Sequence, residues 1–133
     1  MADVCNMDNK NIQNKQPTVY PWTSIEQSEM LKAFLPIESA DMCYRWHDER
    51  WYCVHKDVPY PYSLKDIVNC WTLTALLNAI PGDAELMKIN SYEYMVISGF
   101  GQESIICNNP IDACVDLLVK LHEQNFLHYG NNK

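Results

Sequence analysis

Residues 43–54, with the sequence CYRWHDERWYCV, constrain the fold more than any other stretch of the chain. Aromatic and β-branched side chains dominate both ends, and the charged tetrapeptide HDER separates them, which is the pattern of an antiparallel β-hairpin. If HDER closes a two- or four-residue loop, the alternation of side chains fixes the register. That register predicts three cross-strand pairs: Trp46 with Trp51, Tyr44 with Cys53, and Met42 with His55.

The hairpin register also decides whether this stretch can bind zinc. Cys43, His47, Cys53 and His55 are four possible ligands within thirteen residues, although their spacing is not that of a zinc knuckle. The predicted pairing puts Cys43 and His47 on one face and Cys53 and His55 on the other, and only a three-residue loop would reunite them. We therefore predict no metal site. We also predict no cofactor, because no phosphate loop or dinucleotide fingerprint is present and the chain has only four glycines.

Capping signals indicate three helices. Thr23 to Glu26 reads as a capping box that opens a helix ending near Leu35, and Asn109 opens the last helix. Between them, Thr72 caps a helix through Ile80 that Pro81 and Gly82 close. Residues 63–68 predict a short turn of helix. In the last helix the predicted buried stripe consists of Ile111, Cys114, Val115, Leu118 and Leu121.

Three further strands are predicted, at residues 85–90, 91–99 and 103–107. The predicted order is α-β-β-α-β-β-β-α, which indicates an α+β fold. We expect a small single domain with an antiparallel sheet of four to five strands, hairpin plus meander, and three helices packed on it. Residues 1–16 are polar and aperiodic and are predicted to be a flexible tail, which leaves residues 17–133 as the domain.

Charge and cysteine usage narrow the range of partners. The net charge is −7 and the basic residues are scattered, so direct nucleic-acid binding is not expected. No signal peptide and no apolar run of about 20 residues is present, which predicts a cytoplasmic protein with no membrane association. The six cysteines are irregularly spaced and are expected to be free thiols packed as small hydrophobes.

The stretch NCWTLTALL, residues 69–77, resembles the segment in which papain-like cysteine peptidases present their nucleophile. A cysteine beside a helix N-terminus has a lowered pKa, so Cys70 is a candidate nucleophile. Residues 91–101 resemble the strand that carries the catalytic histidine in that family, but Glu93 stands where the histidine is expected. A thiol hydrolase needs that base, and the simpler interpretation is that Cys70 and Trp71 pack in the core.

Three segments together resemble a second group of proteins: residues 23–44, residues 69–81 and residues 108–127. The similarity lies in a T-x-x-E-Q-S opening, an A-D-M turn, a C-W-[ST]-L-x-x-L-L helix before Pro, and a P-I-D-A terminal helix. These motifs are similar to those of small uncharacterised proteins encoded by phages and mobile elements of gut bacteria. The resemblance implies a shared fold and brings no activity.

The preferred interpretation is a non-enzymatic acidic binding or accessory protein that acts on a protein partner. Its candidate contact residues are Arg45 and Tyr52 on the outer face of the hairpin and Tyr60 and Tyr62 in the proline-containing loop, because Tyr and Arg are common interface anchors. Two alternatives remain: a cysteine hydrolase that uses Cys70, and a structural or virion-associated component.

Overall fold

The computed structural model describes residues 21–58 and 67–127. Three α-helices lie in these ranges: α1 (Ile25–Lys32), α2 (Leu73–Ala79) and α3 (Pro110–Glu123), with a 3-10 turn at Ile37–Ser39. The strands are β1 (Met42–His47), β2 (Arg50–His55), β3 (Ile67–Cys70), β4 (Glu85–Asn90) and β5 (Glu93–Ile97). The predicted α+β fold is confirmed.

The described strands form two antiparallel sheets rather than one. The first sheet has the order β2-β1-β3 and the second has the order β4-β5. Because β3 takes the second edge of β1 and the chain then enters α2, the later strands pair with each other instead of extending the first hairpin. The five described strands agree with the predicted number of four to five, but they form two sheets instead of one.

The register of the first hairpin is the predicted one. Trp46 pairs with Trp51, Tyr44 with Cys53, and Met42 with His55. A two-residue loop, Asp48 and Glu49, connects the strands, and its φ angles of 58° and 66° lie in the left-handed region. Such values are typical of a type I′ turn, whose twist matches that of the flanking strands.

The first helix begins one residue later than predicted. Ser24 is the N-cap: its Oγ accepts a hydrogen bond from the Gln27 amide at 3.0 Å, and Gln27 Oε1 accepts one from the Ser24 amide at 3.0 Å. The capping box is thus Ser24–Gln27 rather than Thr23–Glu26. The Thr23 hydroxyl is buried and lies 2.8 Å from the Ser28 hydroxyl. The helix ends at Lys32, before the predicted end at Leu35.

Two predicted elements differ in kind. Residues 67–70 form strand β3 instead of continuing a helical turn, while residues 63–66 lie outside the described part of the chain. Residues 103–107 make only isolated bridges to β5. The Ser104 hydroxyl accepts from the Val96 amide, and the Ile105 amide donates to the Asp116 carboxylate, so side chains interrupt the ladder there. The observed order is α-β-β-β-α-β-β-α.

The caps of the other two helices agree with the sequence prediction. The Thr72 hydroxyl accepts from the Ala75 amide at 3.3 Å, and the Asn109 side chain accepts from the Asp112 amide at 2.8 Å. Pro110 occupies the first turn of α3, where its missing amide proton costs no helical hydrogen bond. Both helices therefore begin where the sequence places them.

The core is built around α3, which packs against α2 and β5. The predicted stripe of α3 is buried, together with Ala113 and Leu117. Around it the largest buried side chains are Leu31, Trp71, Leu76 and Val96. No residue of β1 or β2 belongs to this cluster. The hairpin therefore stands at the edge of the described core, with much of its aromatic surface outside it.

Because Cys114 is buried in α3, the stability of the protein should fall at alkaline pH. Burial and the nearby Cys107 raise the pKa of the Cys114 thiol from 9.0 to about 12. The unfolded chain loses this proton first, so stability is intact below pH 9 and falls as pH rises toward 12. Between pH 8 and pH 10 we expect the deprotonation of Cys114 in the unfolded chain to lower the free energy of unfolding by about 1.4 kcal/mol. Urea unfolding of wild type and Cys114→Ala at both pH values measures this; equal pH slopes would contradict it.

Candidate functional site

One face of the hairpin carries a cluster of aromatic rings. Trp46 and Trp51 meet edge to face, with centroids 5.3 Å apart and planes at 67°. Tyr44 meets Trp51 in the same way at 6.4 Å, and the Tyr44 hydroxyl donates to the Thr23 carbonyl at 2.7 Å. Although its ring is held by Trp51, the Trp46 side chain remains 40% exposed. A fixed indole is thus presented beside the hairpin turn.

The opposite face of the hairpin presents Tyr52. The Arg50 guanidinium lies 5.8 Å from the centre of the Tyr52 ring, and the His47 ring lies 6.5 Å from it. Tyr52 is 42% exposed. Tyr52 was predicted on the outer face of the sheet and is exposed, but the same face also carries the buried Cys43 and Arg45. For Trp46 only the pairing with Trp51 was predicted, and its exposure was not foreseen.

Arg45 shares the face of Tyr52, but it does not lie on the surface as expected. Its side chain is only 8% exposed, and its guanidinium donates to the carbonyl of Val58 and, at 3.3 Å, to that of Lys56. Arg45 therefore holds the segment after β2 against the sheet. Its position favours a structural role over contact with a partner. Tyr60 and Tyr62 lie outside the described residues.

Cys70, the alternative catalytic residue, ends strand β3 with no exposed surface. Its Sγ lies 3.6 Å from Cys53 Sγ. The hydrogen bond to Cys53, burial, and the charges of Cys53, Cys43 and Asp41 all raise the pKa of the Cys70 thiol. A nucleophilic cysteine needs the opposite shift, since the thiolate is the reactive form. The expected helix-terminus effect does not operate, because the helix begins only at Leu73.

The four possible zinc ligands are divided by the register, as predicted. Cys43 pairs with Val54 and His47 with Arg50, whereas Cys53 and His55 pair with the residues on the other face. In the described residues no group of three or more His, Cys, Asp or Glu side chains is close enough to hold a metal ion.

A depression of about 390 Å³ lies between the 3-10 turn and α2. Two of its charged side chains have partners: Lys56 Nζ donates to the Glu38 backbone carbonyl at 3.3 Å, and the Asp41 carboxylate accepts from the amide and the hydroxyl of Thr72. The Asp41 interaction fixes the entry of α2. The depression therefore stabilises the fold, and its geometry points to no ligand.

No known protein indicates which residues of this chain form a functional site. In the described ranges no helix is long and apolar enough to cross a membrane. No family model, curated protein or solved structure matches the chain.

Proposed function

We propose that this protein is a non-enzymatic, acidic binding or accessory protein that recognises a protein partner with the tip of the β1–β2 hairpin. The observation that supports this most directly is the exposure of Trp46 and Tyr52 on an element outside the core. Both lie within four residues of the Asp48–Glu49 turn, one on each face. A partner that binds around the turn contacts both rings.

The ring contacts lower the cost of binding. Association loses free energy when mobile side chains must be ordered, and Trp and Tyr have few rotatable bonds. Trp46 is already held against Trp51, and Tyr52 lies under Arg50 and beside His47. Aromatic side chains of this kind are the usual hot spots of interfaces.

The charge of the chain favours a basic partner. Seventeen acidic residues oppose ten basic ones, which gives −7 at neutral pH. A negative charge of this size speeds association with a positively charged surface. Added salt screens the attraction and so weakens it. We place this activity in the bacterial cytoplasm, in a protein encoded by a phage or mobile element, because of the resemblance carried by residues 23–44, 69–81 and 108–127. Neither a hydrolase nor a virion component has a comparable structural observation in its favour.

Affinity capture from lysates of gut bacteria, followed by calorimetry with the purified partner, tests the proposal. We expect Trp46→Ala and Tyr52→Ala each to weaken binding by about 30-fold, the equivalent of about 2 kcal/mol at a hot spot. Raising the salt concentration should weaken wild-type binding further.

The matched control is Tyr92→Ala. Tyr92 is 62% exposed in the turn of the other hairpin, so its loss removes a similar area from a different surface. Binding by this variant should stay within about twofold of wild type, and thermal unfolding should show that all three variants are folded. If Trp46→Ala and Tyr52→Ala bind as tightly as Tyr92→Ala, the partner does not use the hairpin tip.

A further inference from the structure

The contact between Cys53 and Cys70 joins strands that are not neighbours. Both β2 and β3 pair with β1, one on each side, and the two sulfur atoms meet at 3.6 Å over the face of β1. Cys53 is partly exposed, whereas Cys70 is buried. The pair is therefore reachable from one side only.

A disulfide does not fit this position. Strands that flank a common neighbour lie two strand spacings apart, about 9–10 Å, while the Cα atoms of a disulfide are usually about 4.4–6.8 Å apart. The two thiols meet because their side chains lean toward each other over β1. A covalent bond would require the backbone of the sheet to move.

A metal ion that bridges the two sulfur atoms fits this position better than a disulfide. Three sulfur ligands at about 2.3 Å from a metal ion in a trigonal plane lie about 4.0 Å apart, so the two thiols need to separate by only about 0.4 Å from the observed 3.6 Å. Met42 lies on β1 directly opposite Cys70, on the same face of the sheet. Side chains that lie directly opposite each other on one face of a sheet are neighbours, so the Met42 side chain lies beside that of Cys70.

We propose that Cys53, Cys70 and Met42 form a binding site for one copper(I) ion. Two thiolates and a thioether are soft ligands, which prefer Cu(I) to harder cations. Zinc requires four N, O or S ligands, and the described residues contain no cluster of three His, Cys, Asp or Glu side chains that could hold it. The proposal does not depend on the hairpin binding a partner.

Binding exchanges protons for metal without any change of oxidation state. Both thiols lose their protons to solvent, and three sulfur–copper bonds form, two from the thiolates and one from the neutral Met42 thioether. The affinity for Cu(I) should therefore increase with pH, by up to about tenfold per pH unit for each proton released.

The test is anaerobic titration of the reduced full-length protein with Cu(I) in competition with bicinchoninate, a coloured Cu(I) chelator. We expect one copper ion per chain and an affinity that rises from pH 6 to pH 8. Cys53→Ser should lose more than about 100-fold in affinity, since even outer-shell partners of a metal are worth 10–100-fold. Met42→Leu, which keeps the size of the side chain, should lose about tenfold.

The control is Cys107→Ser, which removes another partly buried thiol from the far sheet and should bind as wild type. Circular dichroism checks that Cys53→Ser, altered at a partly exposed position, remains folded. The proposal is overturned if Cys53→Ser and Cys107→Ser bind copper equally, or if Zn(II) displaces Cu(I) at equal concentration.

Discussion

Trp71→Ala should lower the free energy of unfolding by about 3–5 kcal/mol, the cost of removing a buried indole from a packed core. Trp71 is among the largest fully buried side chains, and it lies in the same cluster as Leu31 and Leu76. Its indole N–H donates to Ser39 Oγ at 2.9 Å. The substitution therefore creates a cavity and leaves the Ser39 hydroxyl without its indole donor.

The backbone of Trp71 adds a second reason for a large effect. Its amide donates to Thr23 Oγ1 at 3.1 Å, and its carbonyl accepts from the Thr23 amide at 2.9 Å. This residue thus connects the start of α1, the 3-10 turn and the entry to α2. Collapse around the cavity would disturb all three, so little of the lost energy can be recovered by relaxation.

Trp71→Phe and Ser39→Ala separate packing from hydrogen bonding. Phenylalanine retains much of the apolar volume, so we expect a loss of about 2 kcal/mol for Trp71→Phe. Ser39→Ala removes the acceptor of the indole together with the hydrogen bond that Ser39 Oγ donates to the Pro36 carbonyl at 2.6 Å, so it should cost about 1–2 kcal/mol. Urea unfolding monitored by circular dichroism measures all three variants. A loss below about 1 kcal/mol for Trp71→Ala would show that the indole is not part of the core.

The hairpin was predictable in detail because two local rules agree there. A two-residue turn and a strict alternation of side chains leave one register that keeps like faces together. The same holds for the helices that begin after Thr72 and Asn109, because a good cap residue stands directly before Leu73 and directly before Pro110, a residue favoured in the first turn. Local chemistry decided these elements, and tertiary contacts did not override it.

Where the sequence offered two equal choices, tertiary contacts decided. Thr23 and Ser24 are both good caps, and Thr23 is used by Trp71 and Ser28 instead. Strand β3 has four residues, Ile67–Cys70, and is held by pairing with β1, which no local pattern reveals. At residues 103–107, contacts from Asp116 and Ser104 replace strand pairing.

The candidate sites depend on the same distinction. The alternation of side chains predicted correctly that Arg45 and Tyr52 share a face. It could not predict that Tyr52 is exposed while Arg45 is buried, because the burial of Arg45 depends on its hydrogen bonds to the carbonyl groups of Lys56 and Val58. The sulfur pair of Cys53 and Cys70 could not be found from sequence, because it exists only once β3 is placed beside β1. The prediction of no metal site considered only four Cys and His side chains within one hairpin. It did not consider a pair of thiols from two strands that are not neighbours.

Gly99→Ala should cost about 3 kcal/mol, because a methyl group has no room at this position. A Cβ on Gly99 would lie 2.6 Å from the Asp83 amide nitrogen and 2.9 Å from Gly82 Cα. Both are backbone atoms, so no side chain can turn away. The loop after α2 and the end of β5 approach so closely that either the loop or the strand must shift.

Gly101→Ala is the matched control, because it isolates backbone conformation from crowding. Gly101 has a φ of 91°, and nothing lies within 4 Å of an added Cβ. The left-handed conformation alone should cost about 1 kcal/mol in an alanine. Urea midpoints for both variants, with unchanged m-values, give the comparison. A loss for Gly99→Ala that is no larger than the loss for Gly101→Ala would show that the close approach of Gly82 and Gly99 does not restrict this position to glycine.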